Sequence, residues 1–304
     1  MKGRVLRSTG SFYTVLGDDG VTYDCKVRGK IRLEGLRETN PVAVGDKVVF
    51  ENDGAIGAIT EILPRMNHML RQSVKKSSHA HVLAANVDQV MLIATVAFPR
   101  TSLGFIDRFL VSAEAYRIPQ VLIFNKNDLL EKAAKELQQE RIELYRAIGI
   151  ASVSISALDE GHESVKALLE NKITLMAGHS GVGKSTLLNR LAPGINQKTA
   201  EISTFSEKGT HTTTFAEMFA LNTETFIIDT PGVKEWGLVD FNSQELSDYF
   251  PEMRERRLSC KFGSKCIHVN EPKCAIIAAV QKGHIALSRY ESYLSMLADE
   301  DNRR

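Results

Sequence analysis

The sequence predicts a multidomain α/β protein in which a small β-barrel, a largely parallel α/β domain and a helical segment follow one another. Three observations predict this fold. The first part of the chain carries only short β-branched runs, the middle alternates strands and helices around a phosphate-binding loop, and three cysteines cluster near the C-terminus. The expected regions are a barrel at 1–67, a basic linker at 68–83, an α/β domain at 84–240 and a helical metal-binding domain at 241–304.

The composition is that of an ordinary globular protein. Of 304 residues, 43% are hydrophobic and 25% are charged, and the net charge is +1. With this net charge the protein as a whole is not a polycation, so any affinity for nucleic acid depends on local patches of basic residues. The longest apolar run, residues 90–98, is too short for a membrane span, and the first residues lack the apolar core of a signal peptide. We therefore expect a cytoplasmic protein without membrane attachment.

The N-terminal region predicts a small barrel of the oligonucleotide-binding (OB) type. About five alternating or β-branched runs fall within residues 1–64, separated by turn signals such as the run at 17–20. A generic barrel without a ligand is an equal alternative, because small barrels host many functions. The basic stretch at 65–81 contains no acidic residue. We interpret it either as a linker that tracks phosphates or as a solvated tether.

The middle of the chain is organised around a G-x-x-x-x-G-K-[ST] motif. It lies between a predicted buried strand and the start of a predicted helix, where backbone N–H groups and the helix N-terminus bind phosphate. Lys184 is expected to reach the β and γ phosphates, and the Ser185 hydroxyl is expected to bind Mg²⁺. The expected nucleotide-binding residues of this loop are Gly178, His179, Ser180, Gly181, Val182, Gly183, Lys184, Ser185 and Thr186.

A second motif, Asn-Lys-x-Asp, ends the next predicted buried strand upstream and points to guanine. The Asp128 carboxylate can accept two hydrogen bonds from the ring N–H and the exocyclic amine of guanine, a pattern that adenine lacks. We expect Asn125 to tie this loop to the phosphate loop and the stem of Lys126 to cover the base. Ser156 and Ala157, after a further strand, are expected to offer a backbone N–H to the guanine carbonyl.

The Asp-Thr-Pro-Gly run that follows another apolar strand supplies the third nucleotide element. Asp229 is expected to hold Mg²⁺ through water, and the Gly232 N–H is expected to sense the γ-phosphate. On the polar loop before it, either Thr213 or Thr212 is expected to bind Mg²⁺ directly, with Thr213 preferred. The alternative is that these threonines belong to a solvated loop.

The order of the motifs predicts a circular permutation. In ordinary G proteins the phosphate loop comes first and the Asn-Lys-x-Asp element comes near the end. Here residues 125–128 precede 178–186, and Asp229 comes last. The same sheet can form only if the domain is permuted, and the run after Gly232 then leads directly into the C-terminal segment. We therefore predict a circularly permuted P-loop GTPase domain that binds GTP or GDP with Mg²⁺.

The cysteine cluster predicts a structural metal site. Three thiolates and an imidazole suit tetrahedral zinc, and four protein ligands leave no open position, so one structural Zn²⁺ is expected. The alternative is a set of unrelated buried cysteines with a surface histidine. Basic residues, Arg257 and Arg289 among them, outnumber acidic ones around the cluster. They predict either a surface for RNA phosphates or a solvated helical face. The expected ligands are Cys260, Cys266, His268 and Cys274.

Together these motifs resemble those of the bacterial circularly permuted GTPases that act on the small ribosomal subunit, the RsgA type. The most specific are the permuted order, the Gly-Thr-His-Thr-Thr run at 209–213 and the cysteine–histidine spacing at 266–274. The resemblance covers essentially the whole chain, although the gap between Cys260 and Cys266 is one residue longer than usual. It implies an RNA-binding OB barrel, a permuted G domain and a zinc domain. It also implies GTP hydrolysis in late 30S maturation by a monomer that binds 16S rRNA, is stimulated by the small subunit and is released on hydrolysis.

The resemblance also implies a catalytic histidine. Val233 occupies the position where many GTPases place a water-orienting glutamine, and valine cannot do this. The family offers His211 as the replacement, so the catalytic residues implied are His211, Lys184 and Thr213. The alternative is that His211 is only a loop residue and that a partner completes the site.

Three functions are therefore compared. The first is a GTPase switch in ribosome assembly. The second is an RNA-binding module that uses GTP as a structural ligand without significant turnover. The third, a GTP-dependent transporter or tRNA-modification accessory, is disfavoured by the barrel and the cysteine cluster.

Overall fold

The structure of the protein is a computed structural model. None of its described helices is long and apolar enough to cross a membrane. The structure describes residues 1–28, 41–52, 54–72, 80–159, 162–192, 216–230 and 242–298.

The N-terminal barrel is built from strands whose side chains alternate between the inside and the solvent. Val5, Val15, Phe50 and Ile59 are fully buried inside it. The first strand pairs with both the second and the fourth, and the third runs parallel to the fifth, so the barrel closes. The predicted five-stranded barrel is confirmed. Its strands are β1 (Lys2–Ser8), β2 (Tyr13–Gly17), β3 (Thr22–Val27), β4 (Lys47–Glu51) and β5 (Gly57–Ile62).

The basic stretch after the barrel contains two strands rather than an irregular tether. β6 (His68–Gln72) and β7 (Ala80–Ala85) pair antiparallel, and residues 73–79 between them lie outside the described ranges. Arg65, just before β6, pairs with Asp46 of the barrel, with 2.7 Å between Nε and Oδ1. Both side chains are buried, and a buried carboxylate needs such a partner. This contact fixes the barrel to the base of the hairpin.

The α/β domain follows, with a sheet ordered so that the phosphate-loop strand lies at its centre. Its elements are β8 (Gln89–Ala94), α1 (Leu103–Ala115), β9 (Gln120–Phe124), α2 (Lys132–Ala147), β10 (Ala151–Ser154), α3 (Glu163–Leu169), β11 (Ile173–Gly178), α4 (Lys184–Leu191), β12 (Glu217–Ala220) and β13 (Phe226–Asp229). The sheet order is β10-β9-β8-β11-β13-β12, and every neighbouring pair is parallel except β12 with β13. This central placement of β11 is what the permuted motif order requires.

Helices cover both faces of this sheet. Ile106 of α1 and Ile142 of α2 pack on one face, whereas Val165 of α3 and Leu188 of α4 pack on the other. The central strands β8 and β11 are buried along their whole length. Their continuous apolar runs follow from this, because parallel strands are covered on both sides.

Strand β12, the last of the α/β domain's sheet, was not predicted from the sequence. It runs antiparallel to β13, and its residue Glu217 pairs with Arg7 of β1, so the barrel and the α/β sheet are joined. Such a short strand carries too little periodicity to be recognised. The strand forms because it pairs with β13 on one side and with β1 on the other.

Two element boundaries are set by local hydrogen bonds and turns. Strand β8 ends at Ala94, within the apolar run at 90–98, because the Thr95 N–H donates to the Thr101 hydroxyl at 3.1 Å and the Thr101 N–H donates to the Thr95 carbonyl at 2.8 Å. These bonds close a loop that turns the chain into α1. Residues 127–129 form a 3-10 turn before helix α2.

The C-terminal region consists of α5 (Pro251–Arg257), α6 (Ala275–Gln281) and α7 (Leu287–Leu297), with short 3-10 turns before α5 and before α6. Phe250 and Tyr293 form its core together with Val111 of α1. The predicted helical domain is therefore present, and it packs directly against the α/β domain.

Candidate nucleotide-binding site and metal centre

The loops that carry the nucleotide motifs meet at one edge of the sheet. In the register of the parallel strands, Gly178 of β11 lies beside Ile93 of β8, and Asp229 of β13 lies beside Met176 of β11. The loops after these strands therefore emerge side by side. In open α/β sheets, ligands bind at this carboxyl edge.

The phosphate loop runs from the end of β11 to Lys184, the first residue of α4. Gly183 has φ of +92°, a backbone conformation that favours glycine. A Cβ here would lie 2.3 Å from Nδ2 of Asn125, so the close approach of the two loops also requires glycine. Val182 is fully buried and anchors the loop in the core. Of the other predicted residues, Gly178, His179, Ser180 and Gly181 precede the helix, and Ser185 and Thr186 lie in its first turn.

Lys184 and Asp229 form an ion pair at the centre of this edge. Their side chains are only 8% and 12% exposed. Lysine is a partner for phosphate oxygens, and a carboxylate is a partner for Mg²⁺. The two predicted motifs therefore place a cation and an anion together where a phosphate–magnesium group needs both.

Asn125 joins three loops. Its Nδ2 donates to the carbonyl oxygen of Val182 in the phosphate loop at 2.7 Å. Its Oδ1 accepts a hydrogen bond from the Ala157 N–H at 2.8 Å. The side chain is 1% exposed. The link to Ala157 was not anticipated from the sequence; Ser156, beside it, is also buried.

The loop after β9 also contains Lys126 and Asp128, the residues predicted to contact a base. The Lys126 ammonium donates to the carbonyl oxygen of Phe98 at 2.5 Å, which holds its stem along the loop after β8. The Asp128 carboxylate is exposed and accepts no hydrogen bond from any described residue. It is therefore available to a base. The contact with Phe98 was missed, and its only sequence signal is a Phe-Pro pair after a buried strand.

Several predicted residues lie outside the described ranges: Thr212, Thr213, His211, Gly232 and Val233. The chain on either side of them is fixed. β12 begins at Glu217, just after the first of these segments, and the Thr230 hydroxyl donates to the Met176 carbonyl at 2.9 Å just before the second.

His179 makes a contact that sequence reasoning did not find. Its ring stacks on Phe105 of α1, with 3.8 Å between the ring centres and 33° between the planes. The second residue of the phosphate loop is thus packed against the first turn of α1. No sequence pattern links a loop histidine to a helix phenylalanine far upstream.

The four predicted metal ligands come together in the C-terminal region. All are buried, and their ligand atoms lie within 4.8 Å of one another. The Sγ atoms of Cys260 and Cys274 are 3.8 Å apart, and Nδ1 of His268 is 3.4 Å from the Cys274 sulfur. Tetrahedral zinc with Zn–S bonds near 2.3 Å requires ligand separations of about 3.5–3.8 Å. The residues therefore fit a metal, and the longer gap before Cys266 does not displace Cys260.

Surrounding groups orient these ligands. Nε2 of His268 lies 3.2 Å from the Ser247 hydroxyl, which leaves Nδ1 for the metal. The Tyr290 hydroxyl donates to the His268 carbonyl at 2.6 Å. The Glu271 carboxylate accepts backbone N–H groups from Ile267 at 2.6 Å and from Val269 at 2.8 Å. The loop is thus held in the ligating conformation by its own hydrogen bonds.

Burial changes the proton affinities of these ligands. It raises the pKa of the Cys266 thiol to about 12 and also raises the pKa of the Cys274 thiol. It lowers the pKa of the His268 imidazole. Thiols this reluctant to ionise have no charge partner of their own in the cluster, and a divalent cation is the group that would stabilise three thiolates.

The expected basic surface around the cluster is smaller than the charge pattern indicates. Arg289 is 1% exposed and Arg257 is 9% exposed, and both pair with carboxylates. Including them in a phosphate-binding face was wrong, because a buried guanidinium needs an internal anion. The exposed lysines of the region are Lys261, Lys265, Lys273 and Lys282.

Comparison with known proteins gives consistent matches over the whole chain. The family model for the RsgA N-terminal domain matches residues 2–59, and the model for the RsgA GTPase matches residues 62–239. The small ribosomal subunit biogenesis GTPase RsgA of Bacteroides fragilis is 49% identical over 99% of this chain and 97% of its own. The protein of the same description from Christiangramia forsetii is 46% identical over 100% of this chain and 98% of its own.

Two solved structures are also similar to this chain. YjeQ from Thermotoga maritima has a TM-score of 0.78 and 36% identity, covering 100% of this chain and 99% of its own. YloQ, described as a circularly permuted GTPase, has a TM-score of 0.73 and 30% identity over 100% and 96%. The predicted permutation is confirmed by this likeness together with the strand order. With more than half of its length matched by one family model and nearly all of it by relatives, the chain belongs to the RsgA GTPase family.

Proposed function

We propose that this protein hydrolyses GTP in the biogenesis of the small ribosomal subunit. The observation that carries the proposal is the position of Asn125, which binds the phosphate loop and Ala157 at once. One side chain thereby holds together the loops that would surround a guanine nucleotide. Relatives described as small ribosomal subunit biogenesis GTPases, matched over almost the full chain, support it.

Guanine is selected by Asp128. Its exposed carboxylate accepts no hydrogen bond from the described residues and can receive two from guanine. The stem of Lys126, anchored at Phe98, covers the base. The Ala157 N–H already donates to Asn125, so the backbone N–H of the neighbouring Ser156 is the one offered to the guanine carbonyl.

Hydrolysis uses groups from three loops. Lys184 would bind the β and γ phosphates, and Ser185, Thr213 and, through water, Asp229 would hold Mg²⁺. Mg²⁺, when bound, neutralises charge that develops on the transferred phosphoryl group. Because Lys184 and Asp229 pair with each other, nucleotide binding exchanges this pair for contacts with ligand. His211 orients the attacking water, and the Gly232 N–H senses the γ-phosphate.

The metal centre holds one structural Zn²⁺ through Cys260, Cys266, His268 and Cys274. The closeness of the four ligand atoms and the absence of a fifth protein donor among the described residues support a closed site. Its role is to fix the loop on which α6 and α7 pack.

The partner is the small subunit, reached through 16S rRNA by the barrel and by the exposed lysines of the C-terminal region. The protein acts as a monomer in the cytoplasm. The subunit stimulates hydrolysis, and the GDP form is released. By linkage, tighter binding of the GTP form to the subunit means that the subunit favours the GTP-bound arrangement.

GTP turnover with 30S particles, with 50S particles and with none tests this proposal. We expect stimulation by 30S only, and co-sedimentation with 30S that is stronger with a non-hydrolysable GTP analogue than with GDP. Stimulation by 50S alone, or equal 30S binding in both nucleotide states, would contradict it. Tight 30S binding without turnover would instead favour an RNA-binding module that uses GTP as a structural ligand.

A further inference from the structure

Helix α1 lies between the sheet and the C-terminal region and contacts both. Ile106 packs into the core beneath the sheet, whereas Val111, fully buried, belongs to the core of the C-terminal helices. Glu114 near the end of α1 pairs with Arg254 of α5 at 2.6 Å. Helix α1 therefore contributes side chains to the cores of both the α/β domain and the C-terminal region.

A buried charge cluster fixes the orientation of α1 relative to α7. Nη1 of Arg289 donates to Oδ1 of Asp107 in α1 at 2.6 Å, and its Nε donates to Oε1 of Glu252 in α5 at 2.7 Å. The Tyr145 hydroxyl of α2 donates to the same Asp107 oxygen at 2.8 Å. The Arg289 guanidinium also lies over the Phe250 ring, 4.6 Å from its centre.

This cluster tolerates little movement. The Arg289 and Asp107 side chains are 2% and 1% exposed, so water cannot replace a lost contact. Burial alone would lower the pKa of Arg289, but the carboxylates of Asp107 and Glu252 more than offset it and raise that pKa above its ordinary value. A buried, directional cluster of hydrogen bonds and ion pairs therefore holds α1 to the C-terminal helices.

The N-terminal part of the same helix, which carries Asp107, also touches the phosphate loop. Phe105 in the first turn of α1 stacks on His179 of the phosphate loop, 3.8 Å between ring centres. Phe105 and Asp107 are neighbours on one rigid helix. A shift of α1 at the cluster would therefore also move the ring that lies against the phosphate loop.

We propose that Phe105, Asp107 and Arg289 are positioning residues for the phosphate loop, so that the C-terminal helices set the affinity for nucleotide through α1. This inference rests on the proposed binding of GTP at that loop. This route through α1 is separate from the direct chain connection between the nucleotide site and the C-terminal region, which runs through residues 231–241. Coupling is reciprocal, so bound nucleotide also favours the docked arrangement of the C-terminal helices, and a partner that displaces them weakens nucleotide binding.

The test measures dissociation of a fluorescent GDP analogue from the metal-loaded, full-length protein. Phe105→Leu and Arg289→Lys are each expected to speed dissociation by roughly 2- to 30-fold. The double variant is expected to be no faster than the faster single variant, because both changes act along the same route through α1. Hydrogen exchange at residues 178–186 should rise in both, relative to β9.

Two matched controls separate positioning from general loss of stability. Phe50→Leu makes the same substitution at a fully buried site in the barrel and should lower the unfolding midpoint without changing dissociation. Arg254→Lys changes the arginine of α5 that pairs with Glu114 of α1. This side chain is about half exposed, so its ion pair contributes little to stability. This variant should keep the wild-type rate.

A folded, metal-loaded Arg289→Lys protein with wild-type dissociation would overturn the inference, as would effects that multiply in the double variant. Should Arg289→Lys not fold, Glu252→Gln replaces it, since it keeps the shape of the cluster and removes one charge. Failure of the wild-type protein to bind the analogue would refute the proposed function instead. The two failures are thus distinguishable.

Discussion

The nucleotide site and the metal centre are built in opposite ways. The nucleotide site gathers Asn125, Ala157, Lys184 and Asp229 from distant parts of the chain, and beside them Lys126 is partly exposed and Asp128 is exposed. The metal centre takes all its ligands from residues 260–274 and buries every one. The nucleotide site is open at the edge of the sheet, whereas the metal centre is closed inside the core of the C-terminal helices.

This difference follows from what each site must do. A turnover site must admit substrate and release product, so its ligands stand on loops that a rigid sheet positions. A structural metal contributes folding free energy and gains from ligands that are close in sequence, complete in number and shielded from water. The predictions below test this contrast, from the largest expected effect to the smallest.

The largest effect is expected from Cys274→Ser. It should reduce bound metal from about one equivalent to none, because metal binding of about 10–16 kcal/mol in small zinc domains is also folding free energy. Elemental analysis and unfolding of the C-terminal helices measure this. Cys25→Ser, at the buried cysteine of the barrel, is the control and should keep its metal. If Cys274→Ser kept its metal, the four residues would not form a closed site that needs every ligand, and the contrast with the open nucleotide site would be lost.

The next effect concerns the base. Asp128→Asn should weaken GTP binding by ~10⁴-fold, because the site then mispairs with guanine, and it should favour xanthosine nucleotides. Titration with both nucleotides measures the change. Asp18→Asn, an exposed aspartate in the barrel, should bind GTP normally. Unchanged GTP affinity in Asp128→Asn would remove this residue from base recognition.

A smaller effect is expected from His211→Ala. Turnover with 30S should fall by ~10²–10⁴-fold, the contribution of a positioned acid–base group, while nucleotide affinity stays near the wild-type value. Single-turnover hydrolysis and equilibrium binding separate the two quantities. His284→Ala, at an exposed histidine, serves as the comparison. Wild-type turnover would mean that a partner supplies the water-orienting group.

The smallest effect concerns the support of the metal centre. Ser247→Ala removes the hydroxyl beside Nε2 of His268 and should lower metal affinity by ~10–100-fold without abolishing binding. Competition with a chelator measures it, with Ser259→Ala, an exposed serine, as the reference. An affinity equal to that of the reference would show that the backbone alone orients the imidazole.

Much of both sites was predictable because each motif that contributes to them is local in sequence. The phosphate loop needs glycine at residue 183 and lysine at residue 184, and the metal centre needs thiols at fixed spacing, so residue types alone identify them. The motif order also predicted the permutation, since only one sheet topology brings residues 125–128 and Asp229 to the edge of β11.

The contacts between elements required the tertiary structure. The stacking of Phe105 on His179, the anchor of Lys126 at Phe98 and the pairing of β12 with both sheets join residues that have no periodic relation. The position of Arg289 shows the reason most clearly. The sequence alone determined that it carries a positive charge on a helix near the metal ligands. Only the packing of α7 on α1 decided that this charge is buried against Asp107 rather than exposed to RNA, because burial depends on which faces meet, and that is a property of the assembled helices.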